Sequence, residues 1–267
     1  MDSYIVKPGK KIDITDYDPD DESQFSQGKQ AGLERLSELT QKLDKLQEIL
    51  YAEHKHKILV VLQARDAGGK DGTIRAVLSG INPQGVNIVS FKVPTAIELD
   101  HDYLWRIHQH LPAKGEMVVF NRSHYEDVLV VRVHNLITMD ECKRRYTQIK
   151  QFEQMQAEEG TTILKLFLNV SKDEQKKRFQ ERLDIPEKNW KFNPGDLSER
   201  DLWPDYSKAY EDAINETSTS FSPWYIIPAN HNWYRNLCVA EILVNTLESL
   251  DMHYPVPTTD LSQVVIK

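Results

Sequence analysis

Residues 60–73 read Val-Val-Leu-Gln-Ala-Arg-Asp-Ala-Gly-Gly-Lys-Asp-Gly-Thr, and the apolar helical stretch Ile-Arg-Ala-Val-Leu follows at 74–78. A β-branched apolar run thus ends in a glycine-rich turn that opens a helix. Glycines let the backbone turn so that several N–H groups face one hollow. The helix adds its positive N-terminal end, and Lys70 adds a charge able to bridge two phosphates. Ala67, Gly68, Gly69, Lys70, Asp71, Gly72 and Thr73 are therefore the expected phosphate-binding loop. Strand, loop, lysine and helix in this order make a more specific signal than the glycines alone. The match to GxxxxGK[ST] is incomplete, because Ala64 replaces the first glycine and Asp71 follows the lysine. Thr73 is left as the indirect substitute for the magnesium-anchoring hydroxyl. An ordinary glycine-rich turn is the competing reading, but Asp66 and Lys70 are costly side chains to place at the end of a buried strand.

Working outward, apolar runs at 57–63, 86–91, 116–120, 162–168 and 224–227 alternate with helical stretches. Apolar strands separated by helices predict a parallel sheet covered on both faces. The expected fold is α/β: a three-layer sandwich with about five parallel strands, helices on both faces and a helical lid. Leucines 36, 39, 43, 46 and 50 draw one stripe along a helix over 29–53. Thr95 with Glu98, Thr138 with Glu141, and Ser171 with Glu174 fit capping boxes. Residues 1–26 form an acidic, polar arm, 27–252 a single domain with its lid at about 178–200, and 253–267 a tail.

A second polar burst erupts from the third apolar run: Asn121-Arg-Ser-His-Tyr-Glu-Asp127. Ligands of open parallel sheets sit at the carboxyl ends of the strands, so Asp66 and Asp127 are expected at one crevice. Two carboxylates beside a phosphate loop imply a hard cation. Arg122 can clamp a phosphate in two-pronged fashion; a structural salt network among Arg122, Glu126 and Asp127 is the alternative. Arg132 is a weaker phosphate candidate. Arg178 and Arg182, four apart, share a helix face at the lid. The paired histidines 54/56 and 108/110 are spaced to point to different helix faces and are not expected to be ligands.

The net charge of −8 argues against general nucleic-acid binding. The distribution is uneven, with six acids in residues 13–22 and seven bases against five acids in 171–191. Cys142 and Cys238 have no metal-ligand spacing, and no leader or membrane-spanning run is evident. A cytoplasmic protein without membrane or nucleic-acid partners is expected.

The motifs QARDAGGKDGT (63–73), FNRSHYEDVLVVRV (120–133), RLDIPEKNWKF (182–192) and PWYIIPANHNWYRN (223–236) resemble those of the polyphosphate kinase 2 family. The resemblance runs from about residue 27 to 250. It implies a P-loop kinase fold related to thymidylate kinases and transfer of phosphate from inorganic polyphosphate to nucleotides. It further implies magnesium, with manganese as a substitute, and a homodimer or homotetramer. Asp66 and Asp127 look like the catalytic, metal-holding pair and Lys70 like the loop lysine. Arg122 and Arg178 look like phosphate ligands, and Asn121, Arg122, Tyr125, Glu126, Arg178 and Arg182 like the nucleotide side of the site. His124-Tyr125-Glu126-Asp127 resembles the branch that accepts both AMP and ADP, with guanine nucleotides as further candidates. Arg65 departs from the apolar residue expected there, and either reaches phosphate or leaves the site. Two rivals remain on the sequence: an ATP-dependent nucleotide kinase and a non-catalytic polyphosphate- or nucleotide-binding protein.

Overall fold

The structure is a computed structural model that describes residues 2–259, 261 and 264–266. A six-stranded sheet runs through it: β1 (Ile5–Val6), β2 (Lys57–Ala64), β3 (Val86–Ser90), β4 (Met117–Asn121), β5 (Thr161–Asn169) and β6 (Trp224–Pro228). The lateral order is β1-β6-β5-β2-β4-β3. The five strands from β2 to β6 are mutually parallel, with Val60 opposite Val119 on one side and Leu164 on the other. Helices α1 (Gly28–Glu53), α2 (Lys70–Leu78) and α7 (Asn232–Glu248) cover one face. Helices α3 (Met139–Glu158) and α6 (Trp203–Thr217) cover the other. Between α3 and α6 in the chain, after β5, come α4 (Lys172–Asp184), a 3-10 turn over Pro186–Lys191 and α5 (Gly195–Asp201), the segment expected to form a lid.

The sandwich explains the unbroken apolar strands. In β2 the side chains of Ile58, Val60 and Leu62 enter the core under α1, α2 and α7, while Leu59 and Val61 enter the core under α3 and α6. Both faces must be apolar when both are buried. The leucine stripe of α1 packs inside the chain: Leu36, Leu39, Leu43 and Leu50 join Leu237, Ala240 and Val244 of α7. Each such leucine contributes on the order of 2 kcal/mol by leaving water.

The three expected N-caps form, with Thr95, Thr138 and Ser171 accepting from the backbone N–H of Glu98, Glu141 and Glu174. The reciprocal half is made by Glu98. Glu141 and Glu174 instead bond Arg145 and Arg178 one turn on, because an arginine at i+4 is a charged partner for the carboxylate.

The sheet has one strand more than expected, and it is not parallel. Ile5 and Val6 pair antiparallel with Tyr225 and Trp224. Within the arm Tyr4, Val6, Ile12 and Ile14 are buried, and the Tyr4 hydroxyl lies 2.6 Å from that of Tyr234. The first residues thus cap a sheet edge that would otherwise present open backbone groups. Among the described residues no helix is long and apolar enough to cross a membrane.

Candidate active site

β2 is central, and the chain leaves it to β3 and β4 on one side before crossing to β5 and β6 on the other. Such a reversal leaves a crevice outside the strand ends. A crevice of about 670 Å³ opens there, lined by eight basic side chains against four acidic ones. That surplus stands in a chain of net charge −8.

The loop from Ala67 to Gly72 forms one wall. Ala67 (φ 56°) and Gly69 (φ 100°) both take left-handed backbone, which turns the chain from β2 into α2. A Cβ at Gly69 would strike the guanidinium of Arg235, so glycine is required there for space as well as for φ. Lys70 Nζ reaches back 3.0 Å to the carbonyl of Ala64. Burial and neighbouring Arg122 pull its ammonium down to about 8, against the opposing pull of Asp66, Glu126 and Asp71. Asp71 is held by the Asn121 amide at 2.7 Å, tying the start of α2 to the end of β4. Thr73 is buried, with a hydroxyl that meets no partner.

Arg122 forms the second wall. It is a non-glycine residue at φ 62°, strain of the kind that collects at functional sites. Its guanidinium lies 2.7 Å from Asp66 and 3.2 Å from Glu126. Burial works against its charge, but Glu126 and Asp66 together hold it above its ordinary value. One oxygen of Asp66 is taken by Arg122, which leaves the other to the crevice.

Helix α4 and the 3-10 turn after it bring Arg178, Arg182, Lys188 and Lys191. Arg178 is largely a strut. It bonds Glu174 and the carbonyls of Ala67, Ala229 and Asn230, which uses four of its five N–H groups. Arg182 is neutralised by Asp196 at 2.9 Å.

The crevice therefore gathers Asp66, the loop from Ala67 to Gly72, Asn121, Arg122, Arg178 and Arg182. Five expected site residues do not line it: Thr73, buried in α2, and Tyr125, Glu126, Asp127 and Arg132. Asp127 is turned inward by the 3-10 turn over His124–Asp127. It meets Arg106 at 3.8 Å and Arg145 at 3.5 Å, while Arg145 Nη1 bonds its carbonyl. Burial pushes it up to about 6 against the pull of both arginines. The pairing of Asp66 and Asp127 at one crevice is thus not what these side chains adopt. Tyr125 is fully buried behind the sheet, bonded to Glu153 and Thr217. Arg132 is engaged by Asp212 and Tyr146. Glu126 lies on the far side of Arg122, beside a small pocket lined by Trp203, Tyr206 and Tyr210. Arg65 leaves the crevice: its guanidinium stacks 4.3 Å from the Trp203 ring and bonds Ser207.

Two features were absent from the sequence reading. Arg235 of α7 is 2% exposed, packs against Gly69 and lines the crevice; its only advance signal was its place at the end of the 223–236 motif. Beneath the 122–127 turn, Lys165, Glu153 and His124 form a buried ionic cluster, and nothing in their local spacing announces it.

The family model for polyphosphate kinase 2 matches residues 26–255. An AMP/ADP-polyphosphate phosphotransferase of Meiothermus ruber is 61% identical over 267 residues, spanning all of both chains. An ADP-polyphosphate phosphotransferase of Rhodopseudomonas palustris is 46% identical, over 96% of this chain and 92% of its own. The crystal structure of a polyphosphate kinase 2 from Arthrobacter aurescens TC1 superposes with a TM-score of 0.94 at 42% identity, covering 97% of this chain and 93% of that one.

Proposed function

The chain belongs to the polyphosphate kinase 2 family, and we propose that it passes the terminal phosphoryl group of inorganic polyphosphate to AMP and then to ADP, yielding ATP in two steps. One observation carries the choice of donor: a crevice rich in cations, four of which, Lys70, Lys92, Lys191 and Arg235, have no carboxylate within ion-pair distance among the described residues. Cations held ready without counter-charges suit a polyanion. The loop chemistry weighs against an ordinary ATP-dependent kinase. Asp71 stands where the magnesium-anchoring hydroxyl belongs and is tied to Asn121, while the Thr73 hydroxyl is buried. The acceptor reading rests on Glu126 and on the AMP/ADP-polyphosphate phosphotransferase relative.

The end phosphate of the donor sits on the N–H groups of the 68–73 loop, with Lys70 drawing charge from the bridging oxygen. Arg122, steadied by Asp66 and Glu126, holds the acceptor phosphate opposite. A phosphate oxygen is already anionic, so the work of the site is positioning and charge neutralisation rather than base catalysis. Magnesium fits this donor set, since it takes one or two carboxylates and completes its shell with phosphate oxygens and water. Asp66 is the carboxylate that would hold it, and Asp127, expected as its partner, faces Arg106 and Arg145 instead. When bound, the ion supplies neutralisation of charge on the transferring group.

The test is nucleotide chromatography of the purified protein with AMP, magnesium and long-chain polyphosphate, without ATP. ADP followed by ATP is expected. Conversion of ADP alone would remove the AMP-accepting reading, and transfer from ATP but not from polyphosphate would overturn the donor.

A further inference from the structure

Arg235 stands out among the charges of this molecule. It lies on the first turn of the seventeen-residue helix α7 and is 2% exposed. Its Nε and Nη2 donate to the Asn236 side-chain oxygen at 3.2 and 3.0 Å, and Nη1 donates to that of Asn232 at 2.7 Å. Both partners are neutral amides. A buried guanidinium held for structure alone is normally matched by a carboxylate, since a lone buried charge is costly. The other arginines that line the crevice obey that rule: Arg122 has Asp66 and Glu126, Arg178 has Glu174, and Arg182 has Asp196. Arg65, outside the crevice, is matched instead by the faces of Trp203, Phe167 and Tyr210, while Arg235 has neither carboxylate nor ring among the described residues. Arg235 has another arginine nearby instead, and burial with the charge of Arg178 pulls it below its ordinary value.

The position is specific. The guanidinium lies where a side chain on Gly69 would be, and 3.4 Å from where one on Gly72 would be. It therefore flanks the loop that cradles a phosphate. The two asparagines use three of its five N–H groups, which leaves two for a ligand. The N-terminal end of α7 adds its own positive dipole at the same place. Asn232 and Asn236 also line an adjoining depression that leads past Lys29 and His231. A phosphate chain longer than two units thus has a way out along this side.

We propose that Arg235, carried with Asn232 and Asn236 on the first turn of α7, forms a second phosphate subsite that seats the donor's penultimate phosphate beside the terminal one on the 68–73 loop; this rests on the reading of the crevice as a polyphosphate site. The two asparagines orient the guanidinium without neutralising it, and the polyphosphate supplies the missing anion. Arg235 then belongs to donor binding and not to the acceptor.

Tripolyphosphate binding by calorimetry and steady-state kinetics together test this. Arg235→Gln is expected to weaken tripolyphosphate binding about tenfold or more, the worth of a charge-assisted pair of hydrogen bonds. KM for AMP should stay within twofold, and Arg235→Lys should recover part of the loss. Asn236→Asp guards against a folding artefact. It keeps the shape and the bonds to Arg235 but places a carboxylate on it, so the melting temperature should not fall while tripolyphosphate binding weakens as in Arg235→Gln. Wild-type affinity for tripolyphosphate in both variants, with wild-type transfer from polyphosphate intact, would overturn the subsite and leave the donor reading standing. A raised KM for AMP with unchanged tripolyphosphate affinity would also overturn it, by moving Arg235 to the acceptor. A wild-type protein that neither binds tripolyphosphate nor transfers from polyphosphate would remove both.

Discussion

Two groups of charges lie on either side of the turn at 122–127, and they are built on opposite principles. Behind the turn, Lys165 Nζ meets Glu153 at 2.6 Å, the Tyr125 hydroxyl at 3.0 Å and the Thr217 carbonyl at 2.7 Å. Glu153 also takes His124 Nε2 and the Ser222 hydroxyl. Lys165, Glu153, His124 and Tyr125 are all sealed from solvent. Although burial opposes it, Lys165 and His124 hold the Glu153 carboxyl below its ordinary value. In front of the turn, Lys70 finds only a backbone carbonyl and Arg235 only amides. Satisfied charge supports the scaffold, and unsatisfied charge is what the proposed donor site calls for. The turn joins the two, since His124 and Tyr125 root it in the cluster while Arg122 and Asn121 face the crevice.

The contrast is sharpest where removing one charge should cost stability but not chemistry. Glu153→Ala leaves Lys165 buried without its partner, which should cost about 3–5 kcal/mol of folding free energy. Urea unfolding measures the loss, and turnover per folded molecule should stay within a fewfold of wild type. A loss of turnover with unchanged stability would break the division. The converse change is Lys70→Ala, expected to lower kcat for polyphosphate-driven transfer by a hundredfold or more, about 2.7 kcal/mol of barrier. Its urea midpoint should stay at the wild-type value.

The pH profile follows from the same difference. Lys70, pulled down to about 8, carries its charge below that pH and loses it above. The slope of kcat/KM for polyphosphate reports the free enzyme. It should be flat below pH 8 and fall above it by about tenfold per unit, with Lys70→Arg moving the fall to higher pH. The smallest effect belongs to Arg65. It stacks on Trp203 away from the crevice, so Arg65→Met should leave KM for polyphosphate within twofold and cost about 1–2 kcal/mol of stability.

Much of the frame was legible because its causes are local. Strands buried on both faces must be apolar throughout, and Thr95, Thr138 and Ser171 mark helix starts by their own hydrogen bonds. The turn from β2 into α2 was legible because glycine, lysine and strand end lie within a few residues. Ile5 and Val6 were not, since two residues carry no period and their partner β6 is more than two hundred positions away. The burst at 121–127 pointed to the right strand end, but its side chains divide according to the turn after Ser123. Asn121 and Arg122 face the crevice, whereas His124, Tyr125 and Asp127 go inward to Glu153, Arg106 and Arg145. Arg235 was hidden because docking of α7 on α2, not any neighbour in sequence, brings it to Gly69.

The most direct measurement is the rise in melting temperature caused by polyphosphate in the wild-type protein, in Lys70→Ala and in Glu153→Ala. Ligand that binds the folded state raises stability with the logarithm of its concentration over Kd. A clear rise is expected for wild type, a much smaller one for Lys70→Ala, and for Glu153→Ala the wild-type rise from a lower starting point. A full rise in Lys70→Ala, or none in a folded Glu153→Ala, would contradict the claim that the unpaired cations of the crevice form the donor site.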